Sequence, residues 1–434
     1  MNGRVADMAR RAREASYALR ACTAEQRNEA LRVLAGLLEK RAPEILAANR
    51  EDVRRAEAEG MAEAPLARLH LDEKKLAGLI DGLSALRTLP DPVGVRQIHR
   101  ELADGLILSR VSCPIGVVAV IFESRPDALI QIGSLCLKSA NCVLLKGGRE
   151  AAESNAALFR LLEEAGRRAA LPAGWAGLLT SREDVSALLA QDQDVDLVIP
   201  RGSGAFVRYI MEHTNIPVLG HSEGICHLYL DESCDPAMAA RLAVDAKCQY
   251  PSACNAIETL LWHRAAEGAA LSAARALWER GVRLLADRET LALLSRGGIP
   301  CEPAEEDAWS TEYLSLALNL KRVDSVGEAI AHINRYGSHH TDAIVTEDDR
   351  AWRRFFAGVD SAGVYRNCST RFADGYRYGF GAEVGIATGR LHARGPMGLE
   401  GLCSYTYRLE GKGDTVAEFA SGERLFAHRD LPLT

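Results

Sequence analysis

Ile115-Gly116-Val117-Val118-Ala119-Val120-Ile121-Phe122 is an unbroken apolar run, rich in β-branched residues, in a chain of 434. No polar residue alternates along it, so a strand formed here must be covered on both faces, as in a parallel sheet. The segments that follow keep to that plan. Asp127 to Ala140 reads as a helix, Cys142 to Leu145 as a strand and Ala151 to Ala170 as a helix. Val195 to Ile199 is a further strand and Ser203 to Glu212 a further helix. Strands alternating with helices imply βαβ units and an open α/β sheet.

Upstream, the chain reads as helical to about Leu86. Thr23-Ala24-Glu25-Gln26 fits a capping box, and Leu31, Leu34, Leu37 and Leu38 fall on one helical face. Pro90-Asp91-Pro92 closes this region. Glu101 to Cys113 reads as a hairpin turning at Ala103-Asp104-Gly105. A second α/β series begins near Gly224: strand Ile225 to Leu230, helix Pro236 to Cys248, strand Ala256 to Trp262 and helix Ala265 to Arg280. Glu312 to Leu320 and Asp342 to Val345 read as strands with a helix, Val326 to Tyr336, between them. Beyond Tyr365 the sequence is rich in Gly and Arg, and Leu402 to Leu409 alternates as a strand does.

With 47% hydrophobic and 26% charged residues, the composition is that of a globular protein of two or three domains. A net charge of -7 argues against nucleic acid as a partner. No run approaches the roughly 18 apolar residues of a membrane helix, and Met1 to Asp7 carries no apolar signal region. Eleven cysteines, scattered and without CxxC or Cys/His spacing, imply reduced thiols, a cytoplasmic home and no metal site.

Gln249-Tyr250-Pro251-Ser252-Ala253-Cys254-Asn255-Ala256 sits between a helix and a strand. A Pro-Ser turn there can hold a thiol at a cleft, where a reactive cysteine needs partial exposure and positive potential. The plain alternative is an inert, buried cysteine. Two loops suit a dinucleotide, because ligands of open α/β sheets sit at the carboxyl ends of strands. In Leu144-Leu145-Lys146-Gly147-Gly148-Arg149-Glu150, Lys146 can reach ribose hydroxyls; the alternative is a surface lysine. In Pro200-Arg201-Gly202-Ser203-Gly204, the free N–H groups of the following helix suit a pyrophosphate. Neither is a full GxGxxG, and a plain tight turn remains the alternative for each.

Five stretches, in order, resemble the aldehyde dehydrogenase superfamily and, within it, the glutamate-5-semialdehyde dehydrogenase family. They are Phe122-Glu123-Ser124-Arg125-Pro126, Val218 through His227, Cys254 through Leu261, Ile333 through Ser338, and Leu391 through Glu400. The resemblance spans nearly the whole chain. It implies a Rossmann-like cofactor domain over 1–223, with 98–113 in a β-hairpin oligomerisation element. It also implies a catalytic α/β domain over 224–375, a C-terminal return over 376–434, and a homodimer or homotetramer. The implied reaction is NADPH-dependent reduction of L-glutamyl 5-phosphate, a small-molecule substrate, to glutamate 5-semialdehyde in proline biosynthesis. By motif, Cys254 is then the nucleophile and Lys146 the contact to the adenosine ribose. Gly202 and Ser203 lie beneath the dinucleotide, and Glu312 holds the nicotinamide ribose; the alternative for Glu312 is an exposed strand-end carboxylate.

Three positions depart from the wider superfamily. Where many members carry an oxyanion-binding asparagine, this chain has Ser124, so the candidate donors are Ser124, Asn255 and the Cys254 N–H. Arg125 beside it suits the substrate phosphate, or else a structural ion pair with Glu123 or Asp127. Arg149 replaces a glutamate that favours NAD, and would attract a 2′-phosphate. Gly220 stands where hydrolytic members carry the water-activating glutamate. The rival readings are a hydrolytic NAD-dependent aldehyde dehydrogenase, which Gly220 and Arg149 oppose, and a non-catalytic nucleotide-binding scaffold.

Overall fold

The computed structural model describes residues 2–220, 223–380 and 383–433. Five helices open the chain: Asn2–Ala21, Ala24–Lys40, Ala42–Ala58, Glu63–Leu69 and Glu73–Thr88. The Thr23 capping box forms in both directions, Gln26 N–H to Thr23 Oγ1 at 3.3 Å and Thr23 N–H to Gln26 Oε1 at 2.9 Å. Leu31, Leu34, Leu37 and Leu38 are buried and join the core beneath the first sheet.

That sheet has four parallel strands in the order Ala176–Leu179, Cys142–Lys146, Val117–Phe122 and Leu197–Arg201. Every residue of Val117–Phe122 is buried, as an interior strand between two helical layers requires. The strand starts two residues later than the apolar run. Gly116 takes φ +134°, and a Cβ there would lie 2.1 Å from Asp196 Oδ2, so only glycine allows the entry.

The second sheet has seven parallel strands: Glu302–Pro303, Arg283–Ala286, Ala317–Val323, Ile257–His263, Cys226–Leu230, Thr341–Val345 and Gly363–Arg366. The central strand Ile257–His263 is wholly buried and leaves directly from the Cys254 loop. One expected element is corrected here. Glu312 to Leu316 is not strand; the strand is Ala317–Val323, because Leu314 adopts φ +53°, which no ladder accommodates.

A third, antiparallel sheet gathers Cys403–Glu410, Leu106–Pro114, Arg96–Ala103 and Arg429–Asp430. Its outer strand Cys403–Glu410 exposes Tyr405, Tyr407 and Leu409. No described helix is long and apolar enough to cross a membrane.

Candidate active site

Helix Pro236–Cys248 starts at an Asp235 cap, with Met238 N–H donating to Asp235 Oδ1 at 2.6 Å, and delivers the chain to Tyr250. Two tight turns follow, Ala253 N–H to Tyr250 O at 3.2 Å and Ala256 N–H to Ala253 O at 2.9 Å. They leave Cys254 half-buried at the amino end of the second sheet's strands, just ahead of Ile257–His263. Two other segments hold this loop. On one side the backbone of Gly224 passes so close that a Cβ would lie 2.0 Å from the Cys254 carbonyl oxygen, so this position must be glycine. Gly224 N–H in turn donates to Glu312 Oε1 at 2.9 Å. On the other side Thr370 Oγ1 donates to Asn255 O at 2.7 Å, and Asn255 Nδ2 donates to Ala373 O at 2.8 Å. The Cys254 N–H donates to no described group.

Two guanidinium groups lie near the thiol. Arg201 ends the last strand of the first sheet and Arg371 sits in the helical turn Thr370–Phe372 of the second half. Each is close enough for its charge to be coupled to that of Cys254. Arg371 is only 8% exposed. Its Nε donates to Gln249 Oε1 at 2.9 Å, and its guanidinium lies 5.9 Å from the Tyr250 ring centre. Burial, then the neighbouring Arg377, lowers its pKa. Among the described residues neither arginine forms an ion pair with a carboxylate. Sequence reasoning singled out neither of them.

Beneath the loop lies a complete ion pair. Lys247 Nζ and Glu258 Oε2 are 2.6 Å apart with both side chains fully buried, one just before the loop and one just after it. Burial raises Glu258 to about 7 against the pull of Lys247, and burial lowers Lys247. The other thiols nearby are poor nucleophiles, since burial pushes Cys248 upward and Cys226 far upward. Cys226 donates its S–H to the Cys254 carbonyl at 3.3 Å.

The expected cofactor residues line the carboxyl ends of the first sheet. Lys146 ends its strand, buried, with Nζ 2.5 Å from Gly147 O. Burial lowers its pKa, opposed by Glu150, Asp184 and Glu123. Arg149 is 86% exposed, 3.3 Å from Glu59 Oε2. Ser203 caps helix Gly204–Glu212, accepting from Phe206 N–H at 3.4 Å. At Gly202 a Cβ would lie 2.9 Å from Glu123 Oε2 and 3.0 Å from the Phe206 ring. A helix start with free N–H groups, a crowded glycine before it and an outward guanidinium fit the phosphates of a dinucleotide.

Three expectations shift. Ser124 stands at φ +47° and donates both its N–H, at 2.6 Å, and its hydroxyl, at 3.1 Å, to Glu150 Oε1, so its hydroxyl is turned to the Lys146 loop. Glu312 lies in the loop ahead of its strand and braces Gly224, so it is no strand-end carboxylate. Arg125 takes Asp127, not Glu123, as its partner, at 3.1 Å, with its side chain still largely exposed. At Gly220 the nearest atom to an added Cβ is 3.5 Å away, so the place has room for a side chain and carries none. His221 and Ser222 of that motif lie outside the described residues, and Glu223 pairs with Arg208 at 3.4 Å.

The aldehyde dehydrogenase family model matches residues 2–278. A gamma-glutamyl phosphate reductase of Acaryochloris marina is 52% identical over 427 residues, 98% of this chain and 98% of that one. The crystal structure of gamma-glutamyl phosphate reductase from Thermotoga maritima gives a TM-score of 0.91 at 36% identity, covering 95% of this chain and 99% of that chain. An engineered glycolyl-CoA reductase with bound NADP+ shares the fold, with a TM-score of 0.65 at 16% identity over 95% of this chain and 98% of that one.

Proposed function

This chain belongs to the aldehyde dehydrogenase family and, within it, to the gamma-glutamyl phosphate reductases; we propose that it works through a Cys254 thioester with NADPH as the reductant. The enzyme reduces L-glutamyl 5-phosphate to glutamate 5-semialdehyde and phosphate. The observation that carries the mechanism is the thiol of Cys254, braced from two sides and charge-coupled to Arg201 and Arg371.

The thiolate attacks the acyl carbon, the carbonyl oxygen gains charge, and phosphate leaves with its bonding pair. The Cys254 N–H, which has no other acceptor among the described residues, is the donor for that oxygen. Asn255 acts by fixing the loop through Ala373, and Ser124 by fixing the Lys146 loop through Glu150. Arg125, close enough to Arg201 for the two charges to interact, receives the leaving phosphate. A bound nicotinamide supplies the hydride that turns the thioester into aldehyde and free thiolate. Lys146, Gly202, Ser203 and Glu312 hold that cofactor, and the exposed Arg149 selects NADP(H). Splitting one hard reduction into two easier steps is what the covalent intermediate contributes.

Residues 1–223 and 224–375 serve as cofactor and catalytic domains, a division supported by their separate parallel sheets. Residues 98–113 and the C-terminal return form an element for homo-oligomerisation, supported by the exposed Tyr405, Tyr407 and Leu409 on an outer strand. Eleven free cysteines support a reducing compartment, the cytoplasm, and the reductase relatives support a role in proline biosynthesis. The test is NADPH oxidation with freshly generated glutamyl phosphate. Substrate-dependent oxidation is expected, and its absence in folded protein would refute the reading.

A further inference from the structure

A substrate of this class has anions at both ends. The phosphate leaves from the acyl carbon, while the α-carboxylate, ionised at neutral pH, sits at the far end of the carbon chain. One cation cannot serve both. Of the cations near Cys254, Lys247 is committed to Glu258, and Arg125 lies beside Asp127. Arg377 donates to the carbonyl of Arg371. Arg201 and Arg125 feel each other's charge and belong to the cofactor-side edge, which is the phosphate end. Among the described residues that leaves Arg371 on the catalytic half.

Its setting is built to hold it still. The Nε bond to Gln249 Oε1 fixes the plane, Tyr250 covers one face, and the bonds of Thr370 and Ala373 to Asn255 tie the same turn to the nucleophile loop. A charge taken out of water is costly unless paired, and this one has no acid in ion-pair contact among the described residues. A planar guanidinium fork with its outer N–H groups uncommitted matches a carboxylate.

We propose that Arg371 receives the α-carboxylate of the substrate, and so fixes the length and head group of the molecule that Cys254 accepts. This rests on the reductase reading above. Two roles compete with it: lowering the pKa of Cys254, and merely bracing the loop.

The experiment runs the reaction in the oxidative direction with full-length protein, NADP+ and phosphate. It compares 5-oxopentanoate, which keeps the distal carboxylate, with butanal, which lacks it. Wild type is first assayed on glutamate 5-semialdehyde, and no turnover there would refute the reductase reading itself. With turnover established, Arg371→Gln should raise KM and lower kcat/KM on both carboxylate substrates about ten- to a hundredfold. Butanal should change by less than about twofold, so that the preference collapses. Arg371→Lys, which keeps the charge but loses the fork, should retain part of the preference and serves where the Gln variant folds poorly. Equal losses on 5-oxopentanoate and butanal would assign Arg371 to the thiol or to the loop, and would overturn the inference while leaving the reductase reading intact.

Discussion

The rim of the site and the ion pair beneath it treat buried positive charge in opposite ways. At the end of the first sheet, buried Lys146 lies within the field of Glu150, Asp184 and Glu123, and Ser124 is bonded to the same Glu150. At the second sheet, Arg371 is equally buried and lies within the field of Asp374 and Asp245; among the described residues neither cation has a carboxylate in ion-pair contact, while Lys247, just before the Cys254 loop, has a full partner in Glu258. A buried cation that carries its own acid is complete within the chain. One that lacks an acid is completed by what binds. The contrast separates groups that build the site from groups that meet the substrate.

The largest effect should come from the nucleophile. Cys254→Ala should abolish reduction while leaving fold and NADPH binding intact, and Cys248→Ala, the control with a thiol raised by burial, should keep most activity. A loss of only a few-fold at Cys254 would contradict the assignment. Next, Glu258→Gln should leave Lys247 charged, buried and unpaired. The expected cost is about 3–5 kcal/mol in urea unfolding, largely recovered when Lys247→Met is added. Failure of the second change to restore stability would show that the pair is not a self-contained unit.

A smaller effect is expected at the cofactor end. Arg149→Glu should narrow or reverse the preference for NADPH over NADH by about tenfold or more. An unchanged ratio would mean that Arg149 serves Glu59 alone. The smallest is an acid effect at Asp184. Burial opposes ionisation there, but the N–H groups of Ser181 and Thr180 and the Arg4 guanidinium outweigh it and hold the folded pKa at about 2. A depressed carboxylate stabilises the fold above the ordinary carboxylate range, and that contribution is lost as pH falls from about 4 through about 2. The stability difference between wild type and Asp184→Asn should therefore be constant near neutrality and vanish at the acid end. A difference that grows on acidification would contradict this.

What was legible in the sequence followed from local pattern. Val117–Phe122 is buried on both faces, so it had to be apolar throughout, and the Thr23 box needed only adjacent residues. Arg283–Ala286 and Gly363–Arg366 escaped because each is short and holds only two or three apolar residues beside an arginine, too little for a readable pattern. Glu312 to Leu316 imitates a strand in composition but turns at Leu314, where φ is positive. Cys254 stood out because a Pro-Ser turn between a helix and a strand marks itself in sequence, and Arg149 through the family resemblance. Arg371 did not, since its bond to Gln249 spans 122 residues and nothing local to Ser369-Thr370-Arg371-Phe372 signals a ligand.

The central claim is a thioester on Cys254 that this chain passes to phosphate and not to water. Position 220 carries no side chain that could act as a base, and Glu223 is paired with Arg208. The most direct test is NADPH formation from glutamate 5-semialdehyde and NADP+ with phosphate rigorously excluded. With glycine at position 220 supplying no base to activate water, absorbance should stop after about one turnover per site, and run on when phosphate or arsenate is added. Sustained turnover without either would contradict the account and point to water activation, with His221 and Glu223 the first residues to replace.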